Sequence, residues 1–265
     1  HAGREEAVAY SSALKRLTRL YKGWGGGAYT IGEAMTITAH SAQAAARAAA
    51  AGEREAVVVA ALFHDVGHLL GFEAGLPAEM DGCGFEAHDV SGGAFLEALG
   101  FSPDVGFLAA QHVRAKRYQV AVDPSYAAKL SEASRTTLGF QGGPMSASEV
   151  ASCDADPRWP EVLRVRAYDE AAKEAGEYDG VSIEAVLAEH AAALEACFEP
   201  SRASPYAYVL SHEQLRKWDQ DGTVHLRRPD LGFDALDEMA SALADLERRP
   251  TSRLAHSLVH RELPR

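Results

Sequence analysis

From Glu5 to Tyr21 apolar residues return at helical spacing, at Val8, Leu14, Leu17, Leu20 and Tyr21, which predicts an amphipathic helix. The run Gly25-Gly26-Gly27 ends it, because consecutive glycines lose too much backbone freedom to stay helical. Ala34 to Ala51 is alanine-rich and predicts a second helix. The segment from Glu53 to Leu70 is apolar on every face at its centre, through Val57, Val58, Val59, Ala60, Ala61, Leu62 and Phe63. Such a helix belongs in the middle of a bundle. A loop from Gly71 to Gly84 follows, then helices over 88–99, closed by Gly100, and over 103–113. Short helices over 124–130 and 134–138 precede the loop Gln141-Gly142-Gly143-Pro144-Met145, and 161–175 and 182–198 read as helical again. No strand alternation appears before residue 200. The pattern predicts an all-α helical bundle over 1–200, then a linker and small C-terminal extension over 201–265, with a short strand at 223–226 and an amphipathic helix at 233–246.

Composition narrows the classes. The 265 residues are 47% hydrophobic, enough for a core, and the formal net charge is −12. A chain this acidic is a poor general binder of nucleic acid, although a few converging basic residues can still hold a small anion. Cys83, Cys153 and Cys197 are far apart, which excludes a disulfide scaffold or a cysteine zinc site and fits a reducing, cytoplasmic setting. The apolar run Ala56 to Phe63 meets His64 and Asp65 and is too short to span a bilayer, and the opening residues carry no signal-like pattern, so no membrane partner is expected.

The chemistry is concentrated in His40, His64-Asp65, His88, His112 and Asp169. The histidines are 24 residues apart at each step, and Asp169 follows His112 by 57. Packed helices can converge such residues in a bundle interior, where helical proteins build metal sites. His64-Asp65 ends the most apolar helix, where an unpaired carboxylate would cost several kcal/mol. A cation removes that cost, and the two oxygens of Asp65 can bridge two metals. One histidine alone is more often an ordinary core or surface residue; the set together is hard to explain as packing. His190, His212, His225, His256 and His260 fit no such pattern and read as surface residues. His68 and Lys116 each lie four residues after a candidate ligand, and Arg166 lies three before Asp169. Each therefore shares a helix face with it, and together they make a local anion pocket beside the metals.

These residues resemble the HD-domain pattern H…HD…H…H…D. The resemblance is closer to the mixed-valent di-iron oxygenases that cleave the C–P bond of organophosphonates, the 2-amino-1-hydroxyethylphosphonate dioxygenase type. It rests on Tyr-Thr-Ile-Gly-Glu (29–33) running into His40 and Gln43, Ala-Leu-Phe-His-Asp-Val-Gly-His (61–68), His-Val-Arg-Ala-Lys-Arg-Tyr (112–118), Pro-Ser-Tyr-Ala-Ala-Lys-Leu-Ser-Glu-Ala-Ser-Arg (124–135), Gln-Gly-Gly-Pro-Met (141–145) and Arg-Ala-Tyr-Asp-Glu (166–170). The resemblance implies an HD-domain bundle holding two iron ions as an Fe(II)/Fe(III) pair, with O2 as co-substrate. One iron would be held by His40, His64, Asp65 and Asp169, the second by Asp65 as a bridge, His88 and His112. Tyr29 matches a tyrosine that can occupy the second iron at rest, with one more residue between Tyr and Glu than the family pattern has. Glu33 matches the carboxylate that recognises the amino end of the substrate. His68, Lys116, Ser134 and Arg166 match the phosphonate-binding set; without the resemblance, Ser134 would read as a helix N-cap.

The implied reaction takes a 1-hydroxyalkylphosphonate, such as the 2-amino- or 2-trimethylammonio-1-hydroxyethyl compound, to inorganic phosphate and glycine or glycine betaine. The alternative is a metal-dependent HD-domain phosphohydrolase, in which two metals activate water against a phosphate ester. A non-enzymatic metal- or partner-binding module is the third class. The stretch 210–226 resembles the opening of a phytanoyl-CoA-type 2-oxoglutarate oxygenase domain, implying a fused or partner hydroxylase that installs the 1-hydroxyl group.

Overall fold

The computed structural model describes residues 2–26, 35–76, 80, 84–85 and 87–203. Tyr29, Glu33, Cys83, the histidines after His190 and the whole of the expected C-terminal extension from residue 206 on lie outside these residues. The described chain is all-α. In order it forms α1 (Ala2–Trp24), α2 (Ile37–Ala50), α3 (Glu55–Phe63), α4 (Val66–Glu73), α5 (His88–Leu99), α6 (Pro103–Ala110), α7 (His112–Val122), α8 (Tyr126–Lys129), α9 (Glu132–Phe140), α10 (Ala147–Asp154), α11 (Trp159–Ala171), α12 (Ile183–Glu189) and α13 (Ala191–Ala196). No described residue lies in a strand, and an isolated bridge pairs Phe101 with Phe198.

The uniformly apolar helix is central, as its sequence requires. Residues Ala56 to Phe63 of α3 are all buried, and α3 packs against α2, α6, α11 and α13. The stripe of α1 buries Leu17, Leu20 and Tyr21, and α1 packs on α4. Together α3 and α4 (55–73) are apolar and long enough to cross a membrane by composition, but 83% of that stretch is buried inside the bundle.

Several helices differ from the sequence reading, and the differences cluster at the histidines. The helix expected over 53–70 is broken at His64-Asp65, where Asp65 adopts φ −98° and ψ 7°. The second piece runs on through Gly71 to Glu73, into the expected loop. The helix expected over 103–113 stops at Ala110, and a new one starts at His112. The helix expected over 182–198 is interrupted at His190, which is buried rather than on the surface. Hydrophobic periodicity runs through each of these breaks, so it does not register them. Helix α10 follows the loop 141–145 and starts at a capping box of Ser146 and Glu149, a helix in addition to those the periodicity predicts.

Two glycines let the site close. A Cβ on Gly67 would lie 1.9 Å from the carbonyl oxygen of His88, so only glycine lets α4 meet the start of α5. Gly84, at φ +101°, passes the His68 ring where a Cβ would come within 2.4 Å of Cε1.

Candidate metal centre

His40, His64, Asp65, His88, His112 and Asp169 are all buried and come together at the junctions of α2, α3–α4, α5, α7 and α11. The imidazoles pair off: His40 Nε2 is 3.1 Å from His64 Nε2, and His88 Nε2 is 3.1 Å from His112 Nε2. Asp65 lies between the pairs. Its Oδ2 is 3.3 Å from His64 Nε2 and 3.7 Å from His40 Nε2, while its Oδ1 is 3.5 Å from His112 Nε2 and 3.7 Å from His88 Nε2. Asp169 Oδ1 joins the first pair at 3.2 Å from His40 Nε2 and 3.6 Å from His64 Nε2.

The other ring nitrogens fix the tautomers. His40 Nδ1 donates to the carbonyl of Ala172 (2.8 Å), His64 Nδ1 to Ala61 (2.9 Å), His88 Nδ1 to Phe85 (2.7 Å) and His112 Nδ1 to Ala109 (2.8 Å). A carbonyl only accepts, so each Nδ1 carries the proton and, in the neutral ring, each Nε2 presents a lone pair. Two lone pairs aimed at each other repel unless a cation lies between them. Two groups of three, His40–His64–Asp65 and Asp65–His88–His112, have ligand atoms close enough to hold one ion each. Nitrogen and carboxylate donors, each histidine supported by a backbone carbonyl, are the usual protein environment of a first-row divalent metal. The donor set therefore fits two such ions bridged by Asp65.

The charge states agree except at His64, where, against burial, Asp65 and then Asp169 raise the ring well above the ordinary histidine range, so that it carries a proton a cation would displace. Burial works to raise Asp65, but His64 and the neighbouring imidazoles hold it well below the usual carboxylate range. Asp169 is likewise held low, against burial, by Arg166 and His64. Burial and the nearby His88 and His64 push His112 down to about 3, which keeps the ring neutral and able to ligate.

A cavity opens beside the donors, lined by His40, Asp65, His88, His112 and Asp169 and also by His68, Lys116, Ser134 and Arg166. The three cationic or donor side chains singled out by register thus meet in it. The His68 ring stacks on His88, with ring centroids 3.8 Å apart, even though the helix breaks between His64 and His68. Its Nδ1 accepts from the Phe85 N–H at 3.3 Å, which leaves Nε2 as the donor of the neutral ring. Burial and His88 push its protonation well below the ordinary histidine range. Lys116 Nζ donates to Thr137 Oγ1 (2.8 Å) and to the Ser134 carbonyl (3.4 Å). Burial, then repulsion from Arg166, pushes Lys116 down to about 7. Arg166 donates to Asp169 and Glu170. Ser134 is not a cap: Ser131 caps α9 by accepting from the Ser134 N–H at 3.2 Å, which leaves Ser134 on the cavity wall.

Some residues at the site carried no role in the sequence reading. Thr137, Gln141 and Lys173 line the cavity. Buried Gln43 donates to the carbonyls of Glu174 (2.8 Å) and Glu177 (3.0 Å) and accepts from the Glu174 N–H (3.0 Å). It lies one helical turn from His40 and ties α2 to the segment whose Ala172 carbonyl holds the His40 ring. A buried glutamine on an alanine-rich helix was the signal available for it.

Comparison with known proteins agrees with this geometry. The HD domain family matches residues 37–156. The chain is 39% identical over 145 residues to the [1-hydroxy-2-(trimethylamino)ethyl]phosphonate dioxygenase (glycine-betaine-forming) of Leisingera caerulea, covering 55% of this chain and 72% of that protein. It is 36% identical over 160 residues to an uncharacterized protein of Acanthamoeba polyphaga mimivirus, covering 60% and 72%. It is 30% identical over 151 residues to the hydroxymethylphosphonate dioxygenase of Gimesia maris, covering 54% and 71%. A buried His/Asp donor set able to hold metal, a cationic cavity wall and relatives of this kind together place the chain in the HD-domain family of metalloenzymes, in the group that includes the phosphonate dioxygenases.

Proposed function

We propose that the protein is a di-iron oxygenase that cleaves the C–P bond of a 1-hydroxyalkylphosphonate. The 2-amino- and 2-trimethylammonio-1-hydroxyethyl compounds are the leading substrates. The reaction balances as R–CH(OH)–PO3H2 + O2 → R–COOH + H3PO4. The C1–H and C1–P bonds break, C1 is oxidised to a carboxyl group, and the four electrons released reduce O2, so no external reductant is consumed. Two bound iron ions would supply O2 activation and a Lewis-acid seat for the substrate oxygens.

The chain's own residues do the rest. His40, His64, Asp65 and Asp169 would hold one metal, and Asp65, His88 and His112 the other, with each histidine Nδ1 held by a backbone carbonyl and both carboxylates ionised. Lys116, Arg166 and the His68 Nε2–H would take the phosphonate oxygens through charge-assisted hydrogen bonds. Their burial keeps water from competing for those oxygens. Ser134 adds a hydroxyl to the same wall. Tyr29 and Glu33 remain proposals from the family resemblance for the resting metal site and the C2 substituent. A 2-oxoglutarate-dependent hydroxylase, fused or separate, is the reaction class that would supply the 1-hydroxyl group.

The observation that carries this reading is the junction of a two-metal donor set with a buried lysine and arginine in one cavity, in a chain whose named relatives act on phosphonates. The test is phosphate release by iron-loaded protein from a panel of 1-hydroxyphosphonates with and without O2. Release only with O2 supports the oxygenase, and the best substrate identifies the C2 group. No release from any of them, together with O2-independent hydrolysis of a phosphate ester, would instead make it a phosphohydrolase.

A further inference from the structure

Arg166 is buried, 5% exposed, and lines the cavity. Its guanidinium has five N–H donors. Nη1 donates to Asp169 Oδ2, Nη2 donates to Glu170 Oε1 at 2.9 Å, and Nε is shared between Glu170 Oε1 at 3.1 Å and the Tyr126 hydroxyl oxygen at 3.2 Å. Three donors are thus committed within the protein. One N–H on Nη1 and one on Nη2 remain, and two such donors can take two oxygens of a tetrahedral anion.

Tyr126, on the short helix α8, donates its hydroxyl to Glu170 Oε1. That one oxygen therefore receives the phenol and two N–H groups of Arg166. The entry to α8 is itself fixed, with the Tyr126 N–H on the Asp123 carbonyl (3.0 Å) and the Ser125 N–H on Asp123 Oδ1 (2.8 Å). Neither Tyr126 nor Glu170 is among the residues lining the cavity. A long arginine side chain next to the carboxylate of Asp169 has an obvious competing arrangement. It can turn to pair with both oxygens of Asp169 and so compete with the metal for Oδ1.

We propose that Tyr126 and Glu170 are positioning residues. They fix the rotation of the Arg166 guanidinium so that its two uncommitted N–H groups face an oxyanion in the cavity while Asp169 Oδ1 stays free for the metal. The brace rests on the proposed function only in taking that oxyanion to be a phosphonate.

A double-mutant cycle on full-length, metal-loaded protein tests this, with inorganic phosphate as the probe and calorimetry as the readout. Tyr126→Phe is expected to weaken phosphate about tenfold, which corresponds to about 1.4 kcal/mol, and to have no further effect in an Arg166→Ala background. Glu170→Gln keeps a side-chain acceptor oxygen and is expected to retain more affinity than Glu170→Ala. A folded Tyr126→Phe variant with wild-type phosphate affinity would overturn the proposal. So would an equal loss with and without Arg166, because Tyr126 would then act by another route. If Tyr126→Phe does not fold, the order of Glu170→Gln and Glu170→Ala decides in the same way. Phosphate binding needs no O2, so failure of the oxygenase reading would show as absent phosphonate turnover, separately from the result of the cycle.

Discussion

Replacing Lys116 with methionine should make the metal-free protein more stable while crippling its anion pocket. Lys116 is 3% exposed, and burial followed by repulsion from Arg166 lowers its ammonium from 10.5 to about 7. The unfolded chain stays protonated to a much higher pH, so folding at pH 7 costs roughly 3 pKa units of linkage, about 4 kcal/mol. Methionine fills a similar volume without a charge, but it strips Thr137 Oγ1 and the Ser134 carbonyl of a donor, at ~1 kcal/mol for a typical hydrogen bond. Thr137 Oγ1 still donates to the Ser134 carbonyl at 3.3 Å, so part of that loss is covered. The net gain should be about 2–3 kcal/mol, or roughly 4–12 °C in Tm for a domain of this size. The sign with pH is specific. The lysine penalty is full below about pH 7 and fades as pH rises toward 10.5, so the gap between variant and wild type should narrow from pH 7 to 9.5. Phosphate affinity should fall about 10- to 100-fold, the worth of a hydrogen bond to a charged group. Differential scanning calorimetry of apo-protein across this pH range, with phosphate titrations on loaded protein, makes both measurements. A lower Tm for the variant at pH 7, or a gap that does not change with pH, would refute the account of Lys116 as a destabilising charge kept for binding.

Three further outcomes follow from the geometry. Asp65→Ala should lose both metals, because its two oxygens face the two histidine pairs separately, whereas His88→Ala should leave the His40 site filled; metal analysis of purified variants distinguishes them. Gly67→Ala should destabilise the protein by about 1–3 kcal/mol, the usual cost of overpacking, because the new methyl meets the His88 carbonyl at 1.9 Å; urea unfolding measures the loss, and metal at the His88 site should weaken with it. Gln43→Leu should cost about 2–3 kcal/mol by leaving the Glu174 N–H and two carbonyls without their partner, and metal titration should show the His40 site loosened more than the His88 site.

The bundle was legible because its helices obey simple rules. The uniformly apolar run at Val57–Phe63 became the central helix, and Gly100 closes α5 in the left-handed conformation at φ 104°. The residues of the candidate metal centre were legible as a set that converges, and the register argument brought Lys116 and Arg166 to the same cavity. The supporting residues were less visible. Gln43, Tyr126, Thr137 and Glu170 act through contacts that join helices far apart in sequence, such as Arg166 to Tyr126 across 40 residues. Local spacing carries no record of such contacts.

The helix breaks at His64 and His112 were missed for a related reason, and they explain how the centre is built. His64, His88 and His112 each place Nδ1 on the carbonyl three residues earlier, at Ala61, Phe85 and Ala109. In an unbroken helix those carbonyls of α3 and α6 would be committed to the backbone N–H four residues on. Ending α3 at Phe63 and α6 at Ala110 leaves the last carbonyls without helical partners, and the histidine ring takes one of them. One interruption therefore satisfies an orphan carbonyl, fixes the tautomer and turns Nε2 toward Asp65 and the paired imidazole. Periodicity carries through because the flanking residues stay buried on both sides. Helix ends inside an apolar run with a histidine one or two residues on, at His64 and His112, are thus a feature of the site itself, whereas the same kind of break at His190 lies outside it.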